Sequence, residues 1–448
     1  MVRGGIMERK GLAVVFVLAA AIRLSIFSSA EFREAIAARV EVTTAVTSLT
    51  RIREGVFLLE RGASPYAGDM LHQPPLLLYL MHPLCHAPVW LLAGVWTVLD
   101  LLCALLLWRV ASLYAETDEA RDDCCLDGAS EEEEAEEEQD VKDAAEALAR
   151  EAKHGADDAS LCSEQGRLHT PDLVAAAFLL NPLSVVACVA MSTQAVDHLL
   201  LALLLLLSLT GRWVGATLSL ALAASLSPYH LALLPPIALI LQRSASLHPA
   251  VTTGVAAFWA AAVLGVSRGL MGDWDFLRGV YGFVLSVPDL APNVGLFWYF
   301  FVEIFDHFKP FFLFIFQYHI AVYPLPLTMR FQHRPLFAAV MLLGIASVFK
   351  SYPSVADPAF YAPLLITFRA HLSGMRNLFE LGQVVLFVSV LAPLFWHLWL
   401  VSGVGNANFY YALTLAYAIS QVMILSEALL ATARNDRRAR ARLRAARK

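Results

Sequence analysis

Charge is scarce through most of this chain. Only 16% of the 448 residues are Asp, Glu, Lys or Arg, against 58% hydrophobic residues and a mean hydropathy of +0.59. A domain folded in water carries about a quarter charged residues, so this composition excludes a soluble globule. Cysteine is sparse too. Cys85, Cys103, Cys124, Cys125, Cys162 and Cys188 form no CxxC pair and no CxxC…HxxxH pattern of the kind zinc sites use. Three lie in or beside apolar runs and three in an acidic stretch, so neither a metal centre nor a disulfide framework is predicted.

What fills the space is apolar sequence. Leu199 to Leu209, Val251 to Val266 and Val384 to Leu400 hold few or no charges over lengths that approach or reach the roughly 20 residues needed to cross hydrocarbon. Such runs must cross as helices, because each unpaired backbone group in lipid costs several kcal/mol. The net charge of -6 hides a second pattern: 20 of the 39 acidic residues fall between Glu116 and Glu164, where only Arg121, Lys142, Arg150 and Lys153 oppose them. Outside that stretch the bases outnumber the acids by ten. They sit mostly in short loops and tails, where they report topology rather than a nucleic-acid partner.

Arg3, Arg9 and Lys10 precede the apolar run Gly11 to Phe27, and no small-residue cleavage site closes that run. It reads as a retained first span with a cytosolic N-terminus, with a signal peptide as the alternative. The arginine-rich tail from Arg434 to Lys448 places the C-terminus on the same side, so the number of crossings is even. Arg212, Arg243, Arg330, Arg334, Arg369 and Arg376 mark further cytosolic turns. Spans are then expected near 11–28, 88–110, 172–190, 194–210, 213–227, 229–242, 250–268, 310–329, 334–349, 357–368, 378–402 and 408–432. The fold class is all-α, a polytopic helical membrane protein with about 12 transmembrane helices. Pro75 to His86 and Val294 to Phe308 are left over on the far side and fit re-entrant or interfacial helices.

These signals divide the chain into four parts. Residues 1–115 hold the first spans and a large far-side loop, 28–74, whose charged and apolar residues alternate as on surface helices. Residues 116–167 form an acidic insert with too little apolar surface to offset its ordering entropy, and are expected to be disordered and cytosolic. Residues 168–432 form a helical bundle with a re-entrant far-side segment, 273–308. Residues 433–448 make a basic cytosolic tail.

Several strings resemble one family. They include Ser64-Pro65-Tyr66-Ala67-Gly68 with His72 and Pro74-Pro75, Asn181-Pro182-Leu183, and Val348-Phe349-Lys350-Ser351-Tyr352-Pro353-Ser354. Two more are Phe395-Trp396-His397-Leu398-Trp399 and Asn406-Ala407-Asn408-Phe409-Tyr410-Tyr411-Ala412. The most specific runs from Tyr281 through Ser286-Val287-Pro288-Asp289-Leu290-Ala291-Pro292-Asn293 to Phe297-Trp298-Tyr299-Phe300-Phe301. Together they resemble the PIG-U family, multispanning subunits of the glycosylphosphatidylinositol (GPI) transamidase, from about Leu12 to Ser426 without the insert and tail. The resemblance implies a non-catalytic subunit in the endoplasmic reticulum membrane. Its expected partners are the other transamidase subunits, including a cysteine-protease-like catalytic subunit, the GPI glycolipid and the C-terminal signal of the substrate proprotein. It implies no cofactor, and a fold similar to the lipid-sugar-dependent (GT-C type) glycosyltransferases. A dolichol-phosphate-mannose-dependent mannosyltransferase of GPI biosynthesis is the alternative.

Read residue by residue, the chain offers little catalytic chemistry. Cys85 has His82 and His86 within helical reach, yet its apolar surroundings favour a structural thiol. The far-side loop 28–74 lacks the Asp-x-Asp pair that related mannosyltransferases place there, and Asp273-Trp274-Asp275 reads as an interfacial turn. Asp100 lies near the middle of the second span and can bond a neighbouring helix. Arg23 and Arg109 are expected to snorkel. The binding candidates are Ser286, Pro288, Asp289, Asn293, Phe297 and Trp298, joined by Asn408 and Phe409. Pro288 and Pro292 stop helix formation, Asp289 and Asn293 can satisfy the freed backbone groups, and the aromatics suit a headgroup boundary. Asn408 matches, through the resemblance, an asparagine placed at the lipid-anchor site. Its amide can both donate and accept towards a sugar or phosphate.

Overall fold

The computed structural model describes residues 2–117, 170–369 and 374–446. The described residues form helices joined by turns and loops, with no strand among them. In chain order the helices are α1 (Val2–Phe27), α2 (Ala30–Ala37), α3 (Leu49–Glu60), α4 (Pro75–Cys85), α5 (Val89–Ala115), α6 (Thr170–Leu179) and α7 (Pro182–Val189). Then come α8 (Gln194–Leu209), α9 (Trp213–Leu226), α10 (Leu234–Ala245), α11 (Pro249–Met271), α12 (Phe297–Glu303), α13 (Lys309–Val322), α14 (Pro324–Arg330), α15 (Pro335–Phe349), α16 (Ala356–Leu365), α17 (Leu378–Trp396) and α18 (Ala407–Ala446). Five helical stretches are long and apolar enough to cross a membrane, or up to seven if each bent pair is one span, so the chain is a polytopic helical membrane protein. α8, α9 and α15 are apolar but shorter. The insert expected over 116–167 lies outside the described residues, except for Glu116 and Thr117.

One bent pair, α6 and α7, turns through 47° at Asn181-Pro182. A residue before proline is pushed out of helical geometry. Asn181 then caps α7, its side chain accepting from the Leu183 N–H at 3.0 Å. That capture leaves the Leu179 carbonyl without its intrahelical donor, and Arg23 fills the vacancy from α1 with Nη1 at 2.9 Å. Arg23 also donates from Nε to Asp100 Oδ2 on α5 at 2.9 Å. The expectation that Arg23 snorkels is therefore corrected: it is fully buried, because the helix break and Asp100 supply the partners that water would have supplied.

The core centres on α15, whose residues Pro335 to Val348 are all buried. α5, α6, α8, α9, α10, α16 and α18 contribute side chains to the same cluster. Helices at the periphery show the reverse pattern, with apolar side chains outward: Phe314 on α13, Phe379 and Val390 on α17 and Phe258 on α11 are all exposed. Apolar residues all round a helix require an apolar surround.

Contacts between loops define two ends. At one, Arg243 donates to the Gln332 and His333 carbonyls, Arg334 and Arg330 pair with Asp436 at 3.1 and 3.6 Å, and Arg434 donates to the Gly374 carbonyl. The basic turns thus meet one another and the start of the tail. The backbone has no break at residue 433, and α18 runs on to Ala446. At the other end, Thr193 donates to the Thr47 carbonyl, the Val355 N–H donates to the Glu41 carbonyl, and Arg51 lies 3.4 Å from Asp289. Of the leftover pieces, Pro75–Cys85 is a short helix outside the long spans, whereas Val294 to Phe308 contains α12 and then a 3-10 turn, Asp306–Phe308, that opens the long stretch Asp306–Arg330.

Candidate functional site

The second end carries the candidate residues. A helical turn at Phe283–Ser286 stops at Val287, which adopts a left-handed φ of 47°. A β-branched residue is strained there, and burial among Phe283, Phe297, Phe301 and Tyr352 holds it in place. Asp289 Oδ1 accepts from the Ala291 N–H at 2.9 Å, while its other oxygen faces Arg51. Asn293 Oδ1 accepts from the Gly295 N–H at 2.7 Å, and its Nδ2 donates to the Ala291 carbonyl at 3.1 Å. These two side chains satisfy the backbone that Pro288 and Pro292 disrupt. Gly295 lets this loop lie against Pro353, since a Cβ there would sit 2.7 Å from the proline ring.

Beyond the break, α12 presents aromatic rings to the end of α17 and the start of α18. Trp298 is buried, stacks on Trp399 with centroids 6.1 Å apart, and meets Tyr410 and Tyr411. Tyr299 stacks on Tyr411 at 4.4 Å and donates its hydroxyl to the Asn408 side-chain oxygen. Asn408 is not the cap of α18. Asn406 takes that role, accepting from the Phe409 N–H at 3.2 Å. Tyr410 donates to Glu41 at 2.8 Å, and the Arg39 guanidinium lies 4.3 Å from the centre of the Trp396 ring. The long loop thereby braces the aromatic shelf.

The candidates consequently divide. Asn408, Phe409 and Trp298 come together on the shelf, where Asn408 and Phe409 are exposed. Phe297 is buried among phenylalanines, and Asn293 is a buried loop brace. Ser286, Pro288 and Asp289 lie at the loop, with the Ser286 hydroxyl bonded back to the Gly282 carbonyl at 2.7 Å. Tyr299, Glu41 and Arg39 escaped the reading of the sequence; the adjacent aromatic strings were the only signal for Tyr299, and nothing local marked the other two. Next to this region, Lys350 pairs with Asp357 at 2.6 Å, and Gln194 bonds both Asp357 and Ser354. Thr47, Gln194, Asp197, Tyr229, Lys350 and Tyr352 help line a cavity there, together with apolar residues such as Val46, Leu77 and Val284.

Chemically, the shelf offers hydrogen-bonding and apolar groups side by side. Tyr299 occupies the Asn408 oxygen and leaves the amide nitrogen free to donate, beside an exposed apolar ring at Phe409. Cys85, Cys103 and Cys188 are free thiols. Burial pushes the Cys85 thiol up, away from the thiolate that a nucleophile needs. Asp273 accepts from the Asp275 N–H in a local turn.

Fold and site together define a multispanning helical membrane protein with an aromatic shelf between its loops. The family described as GPI transamidase subunit PIG-U matches residues 17–417, and the chain belongs to it. The GPI-anchor transamidase component PIGU of Homo sapiens is 33% identical over 440 residues, covering 95% of this chain and 94% of the relative. The Mus musculus protein of that name matches equally in identity and coverage. The GPI transamidase component GAB1 of Saccharomyces cerevisiae is 27% identical over 390 residues, covering 86% and 85%.

Proposed function

We propose that this chain is a non-catalytic subunit of a GPI transamidase in the endoplasmic reticulum membrane, presenting the GPI glycolipid to a cysteine-protease-like partner during anchor attachment. The relatives' names favour a transamidase component over the mannosyltransferase alternative. The observation that carries the glycolipid role is the Tyr299–Asn408 bond. It fixes an exposed amide at the rim of an aromatic shelf, where one donor can face a phosphate or sugar while Phe409 and neighbouring apolar residues face acyl chains.

The two-ended arrangement supports a path of about twelve crossings, in a GT-C-like bundle with both termini and residues 116–167 cytosolic. α8, α9 and α15 are short for a bilayer, but α15 is enclosed by protein and need not match the lipid thickness. The shelf, loop 28–74 and segment 273–308 are then lumenal. Residues 1–115 and 168–432 act as one bundle, joined by the tail from 433 through the ion pairs of Asp436.

The test is the complex purified in mild detergent with Asn408→Ala. Glycolipid retention should fall several-fold with subunit stoichiometry unchanged. Normal retention rejects Asn408 as a contact; if signal-peptide crosslinking falls instead, the shelf serves the attachment signal. Assembly of an active transamidase without this chain would remove the proposal altogether.

A further inference from the structure

Away from the shelf, α3 and α4 end beside one another. Glu60 is the last residue of α3; His82 lies in the last turn of α4 and His86 immediately follows it. His86 Nε2 stands 2.8 Å from Glu60 Oε1, and His82 Nε2 stands 3.2 Å from the same oxygen. One ligand atom from each residue lies within 4.8 Å of the other two. The side chains are 42, 39 and 60% exposed for Glu60, His82 and His86, so an ion can reach them.

Three independent features point to a cation. Histidines four apart in a helix share one face. Tetrahedral zinc with ligand bonds of 2.0–2.1 Å sets its ligand atoms about 3.3 Å apart. The His82–Glu60 separation is already close to that, and His86 needs to open by only a few tenths of an ångström. The cluster also sits where two helix C-termini converge, each the negative end of a dipole. Arg61, the next residue after Glu60, is engaged elsewhere, its guanidinium 3.7 Å from the centre of the Phe57 ring. Cys85, though on the same turn, contributes no atom to the group.

We propose that Glu60, His82 and His86 form a zinc site. Two imidazoles and one carboxylate make a nitrogen–oxygen donor set suited to zinc, with a fourth position open to water or a ligand oxygen. The ion clasps the end of α3, in the long loop, to the end of α4. The cysteine pattern gave no hint of it: His82 and His86 show an HxxxH spacing, but Glu60 lies 22 residues before His82 and joins them only in the fold.

The experiment uses the full chain in its purified complex, stripped with chelator and dialysed against zinc chloride. Metal is counted by mass spectrometry in the wild type, in Glu60→Gln and in His82→Asn/His86→Asn. The wild type should hold stoichiometric zinc above the double variant and gain melting temperature on zinc addition, with both effects lost in the variants. Cobalt substitution should give the intense visible bands of a four-coordinate site in the wild type, a readout independent of whether the variants assemble. Equal zinc in wild type and variants, or a cobalt spectrum without those bands, overturns the site and leaves a hydrogen-bonded Glu–His cluster.

Discussion

Arg23 and Asp100 meet in the interior between α1 and α5, Nε to Oδ2 at 2.9 Å, with both side chains nearly inaccessible. Two charges buried together are far cheaper than one alone: removing a single partner typically costs about 3–5 kcal/mol. Asp100→Leu should therefore destabilise the chain by about that amount, and Arg23→Met/Asp100→Leu should recover most of it. Thermal melts of the two variants in detergent decide the matter. A single variant as stable as the wild type would mean that the pair is held for something other than charge compensation.

At the shelf, Tyr299→Phe keeps the ring on Tyr411 and deletes only the hydroxyl that orients Asn408. A neutral hydrogen bond contributes about 0.5–1.5 kcal/mol. Glycolipid retention should fall by roughly two- to tenfold and less than in Asn408→Ala. A larger loss than Asn408→Ala would place the ligand on the tyrosine itself.

Gly295→Ala drives a methyl into the Pro353 ring and the Asn293 side chain. Rigid neighbours cannot rotate away, so the expected destabilisation is about 1–3 kcal/mol. Proteolysis within 287–296 should accelerate. Unchanged cleavage would show that the two loops separate freely.

His72 is buried at the same end, donates from Nδ1 to the Gly279 carbonyl at 2.8 Å and stacks on Phe283. Burial holds its imidazole below the ordinary value of 6.5, and Arg51 adds to the effect. The unfolded chain thus takes up a proton near 6.5 before the folded chain does. Stability present above that pH drains as pH falls, until the folded group also titrates. His72→Gln should lose less melting temperature than the wild type between about pH 7.5 and about pH 5.5. Equal losses would assign the acid sensitivity to other groups.

On the proposed non-catalytic role, replacing all six cysteines with alanine or serine should leave transamidation running in an assembled complex. Loss of turnover with normal assembly would make Cys85 the first suspect.

Much of this was legible in the residues. Pro288 and Pro292 announced the break, and Asp289 and Asn293 were readable as its backbone partners because an Asx side chain reaches only two residues along. What stayed hidden depended on distant chain. Arg23 looked like a snorkelling base because its partners lie 77 and 156 residues away. Asn408 was singled out by the resemblance alone; that Asn406 makes the capping bond and that Tyr299, 109 residues upstream, holds Asn408 depended on the fold. The tail read as separate from the bundle since its arginines dominate the composition, whereas Asp436 ties it to Arg330 and Arg334.

The enclosure of α15 has a consequence for how the protein is made. Its Gly344 faces Leu425 so closely that a Cβ would lie 2.5 Å from that side chain, and Leu425 belongs to the final helix. A ribosome delivers that helix well after α15. Until it arrives, one face of α15, whose residues Pro335 to Val348 are all buried in the folded protein, lacks the cover of its own chain. A chain that stops before residue 407 leaves that face of α15 without its own cover, however well its earlier helices have inserted.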